Sequence, residues 1–268
     1  MLPQAAEFRD EINALHALLE TLSDQDWDRE TGFKRWTVND IIQHLHVGDL
    51  LAAASVESPE AFLRLRAEVQ RLRDSGMTRI QETRHRLGNL TGHALRARWR
   101  DTALDLATRL GALPVGTRLK WAGPDMSLRM FTTARQMETW AHGQAIYDLM
   151  GRDREPTARL RQIAEIGVRT FGWTFTNRGE APPGPPPHVA LRAPDGSTWI
   201  WNDPSDDSRV EGSAEAFCQV VTQTRNVADT SLVVVGDVAQ RWMSIAQCFA
   251  GPPETPPAPG TRVRAGSR

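Results

Sequence analysis

The stretch EAPPGPPP, residues 180–187, constrains this chain more than any other. Proline has a fixed φ and no backbone N–H, so such a run enters neither a helix interior nor a central strand. It reads as a short stiff linker, and the sequence on its two sides differs in texture. Upstream, apolar residues recur every three to four positions. Phe8, Ile12, Leu15, Leu19 and Leu22 mark an amphipathic helix within residues 4–22. Ile41, Leu45 and Leu51 mark a second, with Thr37 or Asn39 as its cap. The pattern stays helical from Ser58-Pro59 to about Leu110, with a break near 87–93. After a loop dense in Gly and Pro (113–127), Ser127 is placed to cap a helix that runs to about Met150 and stops at Gly151. One more helix is expected over 157–179. Long helices without intervening strand-like alternation argue for a helical bundle.

Downstream of the linker, HVALRA, PDG and STWIW (188–201) form an alternating segment, a turn and a second alternating segment, which is a hairpin signal. A short strand then leads into a helix starting near Ser213, and another apolar run precedes a closing helix. The organisation expected is a helical domain over 1–179, the linker 180–187, a small α+β domain over 188–252, and a Pro-rich tail, 253–268, disordered or draped on the surface.

Composition excludes several classes. The net charge of −1, with both signs interspersed, gives no reason to expect nucleic acid or an anionic membrane as partner. No apolar run approaches the roughly 18 residues a membrane span needs. The N-terminus has neither a basic segment nor an apolar core of the signal-peptide kind. The two cysteines, Cys218 and Cys248, form no CxxC pattern and lie in amphipathic helices, so they are expected to be packing residues in a protein of the reducing cytoplasm.

The chemistry concentrates in two fragments. In RQMETWAHGQAIYDLMG (135–151), Glu138 and His142 are four residues apart and share one helix face. That spacing serves a surface pair equally well as a carboxylate and an imidazole offered to one divalent ion. A third donor must come from another helix. In WTVNDIIQHL (36–45), His44 shares a face with Asp40 and Ile41 and points toward the bundle, whereas His46 is expected to be exposed. His16, His85, His93 and His188 have no companion at ligand spacing.

Trp36, Val38, Asp40, His44 and Leu45 match the W-x-V-x-D-x-x-x-H-L signature of DinB-like metal-binding bundles, and ETWAH (138–142) matches the second signature of one branch of them. The chain therefore resembles the mycothiol-dependent maleylpyruvate isomerase branch of that superfamily, in an actinobacterial subgroup of mostly unassigned activity. The resemblance implies a DinB-like four-helix bundle followed by a sterol-carrier-protein-like α+β domain. The second match rests on LRAPDGSTW, VEGSAEAFCQVVTQTR and GDVAQRWMSIAQCFAG. It also implies His44, Glu138 and His142 as ligands of a divalent metal, usually zinc. Arg225 is aligned with an arginine that engages a carboxylate of substrate or thiol, although a helix-end arginine favoured by the dipole fits the residues equally. One position departs from the branch. The acid that often follows the second metal histidine by three residues is Ala145 here, which leaves its role either missing or reassigned to Asp148 or Asp49.

Three protein ligands leave a tetrahedral ion one open position, for water or a thiolate. The function expected is a metal-dependent, mycothiol-dependent S-transferase or isomerase acting on a small electrophilic substrate. A zinc hydrolase using water, and a non-enzymatic ligand-binding protein with a structural metal, are the alternatives the residues leave open.

Overall fold

The computed structural model describes residues 2–88, 90–121 and 123–266. The chain separates into two compact units, Met1–Ile146 and Tyr147–Arg268. The first is helical: α1 (Pro3–Glu20), α2 (Val38–Glu57), α3 (Pro59–Asp74), α4 (Arg79–Leu87), α5 (Gly92–Ala112) and most of α6 (Leu128–Leu149). Local chemistry sets the entries. Thr37 Oγ1 accepts from Asp40 N at 3.1 Å, and Asp40 Oδ2 accepts from Thr37 N at 3.0 Å, a reciprocal capping box at the start of α2. Thr78 and Gln81 repeat the device at α4. Ser58 caps α3 through Ala61 N, and Ser127 Oγ accepts from Met130 N in the first turn of α6.

The stripe expected on α1 is buried at Phe8, Ile12, Leu15 and Leu19 and packs on α5, which returns Trp99, Ala103, Leu106 and Leu110. α2 lies against α3, α4 and α5, and its residues 38–43 are all buried. At roughly 25 cal/mol per Å2 of apolar surface, each such Leu or Ile contributes about 1.5–3 kcal/mol toward the folded state. The loop 113–127 carries a two-residue antiparallel pair, β1 (Arg118–Leu119) with β2 (Met126–Ser127).

The second unit contains α7 (Leu160–Arg169), α8 (Phe171–Thr176), β3 (His188–Arg192), β4 (Thr198–Trp201), β5 (Arg209–Ser213), α9 (Ala214–Val221), β6 (Val233–Val235) and α10 (Asp237–Ile245). The strands form one sheet in the order β4-β3-β5-β6, with β3 and β5 parallel and the outer pairs antiparallel. The hairpin expected over 188–201 is β3 and β4, paired Val189 to Trp201 through Arg192 to Thr198. Val189, Leu191 and Val210 turn to the same core as Phe217, Trp242 and Cys218. Phe171 meets the Trp242 ring edge-on at 5.3 Å.

Two expectations differ from what is observed. The single helix over 157–179 is two, because Thr170 leaves helical geometry at ψ 13° while its hydroxyl bonds back to Ile166 O and Gly167 O. The contact division falls inside α6, upstream of 180–187, so residues 147–179 belong with the second unit. α7 is seated on α9 there: a Cβ at Gly167 would meet Val221 at 2.8 Å and Phe217 at 2.9 Å. The described part of the Pro-rich tail is held to the second unit. Glu254 N bonds Gln247 Oε1, Asn226 Nδ2 bonds Pro257 O, Gly260 N bonds Asp229, and Ala265 N bonds Asp148 O. Among the described residues no helix is long and apolar enough to cross a membrane.

Candidate metal centre

α2 and α6 bring His44, Glu138 and His142 together within the first unit. Glu138 Oε2 lies 3.7 Å from His44 Nε2 and 3.4 Å from His142 Nε2, and one donor atom from each residue lies within 4.8 Å of the others. Among the described residues these are the one group of three His, Cys, Asp or Glu side chains placed to hold an ion. Bonds of about 2.0–2.1 Å at tetrahedral angles put neighbouring donors about 3.3 Å apart, so the observed spacing fits a zinc-sized ion after small side-chain adjustments. The three side chains are 12–24 % exposed, so solvent partly reaches the cluster.

The second wall of the cluster comes from a segment that the sequence suggests is only a polar connection. Thr31 N and Oγ1 both bond Trp36 O, and Glu30 pairs with Thr37, which closes a tight loop. Lys34 and Arg35 at its tip have φ of 50° and 58°, a conformation that costs a non-glycine residue on the order of 1 kcal/mol or more. Arg35 is tied back to Glu30 at 2.8 Å. The strained tip turns Phe33 and Trp36 onto the histidines. Phe33 meets His142 edge-on at 4.9 Å, Trp36 lies parallel to His142 at 6.1 Å, and Trp36 meets His44 at 5.3 Å.

Electrostatics favour the protonation states a cation requires. Burial, then the neighbouring His142, pushes His44 down to about 4 against the opposing pull of Glu138, and Arg79 acts in the same downward direction. Burial alone would raise Glu138. Hydrogen bonding to His142 and His44 and their charge attraction together outweigh it and hold the carboxyl well below the usual range. At neutral pH His44 is therefore neutral and Glu138 charged, the forms that coordinate. The buried Nδ1 of His142 has no hydrogen-bond partner among the described residues. An acceptor behind a ligating imidazole ordinarily orients it, and here ring contacts stand in that place.

His46 is a correction: it is buried at 3 % exposure, with its pKa pushed down to about 4 by burial and then by Arg98. It turns away from the trio, but α2 is covered on that side as well. Asp40 carries the cap and accepts both arms of the Arg84 guanidinium, at 2.9 and 3.0 Å. Of the two acids considered as replacements at Ala145, neither is loose. Asp49 is fully buried and accepts from Arg135 Nε at 3.0 Å and Trp99 Nε1 at 3.2 Å. Asp148 accepts both arms of Arg225, at 2.6 and 2.7 Å, within the second unit. The guanidinium expected to engage a ligand carboxylate thus holds a carboxylate of its own unit. Cys218 and Cys248 are buried thiols, and burial pushes Cys218 well above the ordinary thiol range. Phe33, Arg135 and Trp99 were not foreseen.

Residues 8–147 match the family described as the mycothiol maleylpyruvate isomerase N-terminal domain, an interval that contains every residue of the trio. The chain belongs to that family. It is 39 % identical over 251 residues to the uncharacterized protein Rv0036c of Mycobacterium tuberculosis (strain ATCC 25618 / H37Rv), covering 94 % of this chain and 96 % of that one. The uncharacterized protein MT0041 of the strain CDC 1551 / Oshkosh is similar to the same extent. Among solved structures, the mycothiol-dependent maleylpyruvate isomerase is similar in fold at TM-score 0.50 and 16 % identity, over 81 % of this chain and 87 % of that one. Its H52A mutant is similar at TM-score 0.50 and 15 % identity. The fold is that of a mostly helical protein with small sheets.

Proposed function

We propose that this family member is a metal- and mycothiol-dependent isomerase or S-transferase acting on a small electrophilic substrate, with His44, Glu138 and His142 as the protein ligands of a zinc ion. The observation that carries the reading is the donor trio, one atom from each residue within 4.8 Å of the others, supplied by two helices and partly reached by solvent. A zinc ion held there would supply a position at which a low-molecular-weight thiol stays deprotonated at neutral pH. His44 and His142 offer imidazole nitrogens, and Glu138 offsets half of the dication's charge. Phe33 and Trp36 orient His142 and exclude water from its face. Arg225 enters the reading as the residue that contacts a ligand carboxylate, exchanging Asp148 for it.

The same reading takes the helical unit as a DinB-like four-helix bundle and residues 188–252 as a sterol-carrier-protein-like α+β domain, in a cytoplasmic protein. The family match and the four-stranded sheet with α9 and α10 support it. The test is anaerobic calorimetric titration of the zinc-loaded protein with mycothiol, followed by assay with maleylpyruvate as the first substrate. One thiol bound per zinc is expected, with no binding to metal-free protein. A zinc-loaded protein that ignores mycothiol would overturn the proposal.

A further inference from the structure

We infer that Asp49 and Arg135, seated on Gly48, are the positioning residues of the donor trio: they set the register of α6 against α2 so that Glu138 stays at coordination spacing from His44. The inference rests on the metal-binding reading above and adds to it the device that keeps the site assembled.

Asp49 lies five residues beyond His44 on α2, and Arg135 lies three residues before Glu138 on α6. At 1.5 Å per residue the clamp is about 7.5 Å from the histidine along one helix and about 4.5 Å from the glutamate along the other. The two helices run in opposite directions past each other, so one ion pair and one donor pair are successive rungs between them. The guanidinium grips α2 at more than one point. Nε and Nη2 both lie 3.0 Å from Asp49 Oδ1, and Nη2 reaches Leu45 O at 3.4 Å. It lies so close over Gly48 that a Cβ there would come within 2.9 Å of it. Trp99 of α5 holds the other carboxylate oxygen at 3.2 Å. Contacts at Leu45, Gly48 and Asp49 fix both the rotation and the axial position of α2 relative to Arg135.

Stability alone is a poor reason for this pair. Both side chains are nearly inaccessible, at 4 % and 0 % exposure. A buried ion pair is frequently no better for stability than an apolar pair of like volume, whereas its directional bonds specify register. An apolar contact tolerates a slide of an ångström. A coordination site does not, since its donors must stay within roughly 0.2 Å of their ideal distances.

The test uses the full chain with Asp49→Asn and Arg135→Met combined, which removes both charges and leaves Trp99 an acceptor. Zinc affinity is measured by chelator competition, the site geometry by the visible spectrum of the cobalt-loaded protein, and the His44–Glu138 contact in metal-free protein by the ring nitrogen shifts of His44. For a folded double variant we expect at least about a tenfold loss of affinity, the size seen when partners behind metal ligands are removed, with an altered spectrum and shifted His44 signals. Affinity within about twofold of the parent, a twofold change being about 0.4 kcal/mol, together with the parent's spectrum and ring shifts, overturns the inference. If the double variant does not fold, Gly48→Ala is read by the same measurements, since it displaces the guanidinium and keeps every charge. A parent protein that binds no zinc or cobalt would refute the metal reading instead, and the His44 ring shifts would still decide the positioning claim.

Discussion

The imidazole of His142 lies parallel to the indole of Trp36, with 2° between their planes and 6.1 Å between centroids. Because the Nδ1 of that imidazole is buried with no hydrogen-bond partner among the described residues, the ring is oriented by aromatic contact rather than by an acceptor behind it. Trp36→Ala should therefore lower zinc affinity by about tenfold, equivalent to about 1.4 kcal/mol, and Trp36→Phe by less. Competition with a chromophoric chelator measures both. An unchanged affinity for Trp36→Ala would mean that the stack orients nothing.

His46 supplies a pH prediction. Its folded-state pKa of about 4 lies below the ordinary value of 6.5, so between those values the unfolded chain binds a proton that the native protein does not. The stability linked to this group is fully present above pH 6.5 and is lost as pH falls toward 4. The loss is on the order of 3 kcal/mol. Urea unfolding of metal-free protein at several pH values should show a steeper acid loss for the parent than for His46→Gln. Identical slopes would contradict the assigned shift. Zinc content at pH 7 should be the same in both.

Arg225 separates two roles by two readouts. Its bidentate pairing with Asp148 is largely buried, at 12 % exposure for each side chain, so Arg225→Ala should strand a carboxylate and destabilise the second unit by about 3 kcal/mol. Zinc content should not change. The proposed anion-binding role adds a weaker response to substrate at matched zinc occupancy, roughly 10-fold or more. Lost stability without lost substrate affinity, followed by differential scanning calorimetry and titration, would leave Arg225 as a structural ion pair.

Much of the fold was legible because its signals are local. The three-to-four-residue stripe of α1, the caps at Thr37 and Ser213, and the alternation of HVALRA and STWIW each name their own element. The donor trio was legible through two short signatures, and the structure brings those three residues together. What escaped depends on contacts across the chain. His46 looked exposed because a helix was assumed to have one wet side, whereas α2 is covered on nearly every side in its first turns. Arg135 gives no sign of its role in the sequence because its partner is 86 positions away. Phe33 was unreadable because its aim depends on two consecutive left-handed residues, Lys34 and Arg35, that no periodicity announces.

The most direct test of the account is the zinc content of the parent chain and of Glu138→Gln after equilibrium dialysis against a zinc buffer near neutral pH. Glutamine keeps the size of the side chain but removes the charge that two imidazoles and a dication require. The account predicts about one zinc per parent chain and a drop in affinity of about 100-fold for the variant, equivalent to about 2.7 kcal/mol. A parent chain that retains no zinc, or a variant that retains as much as the parent, would contradict it.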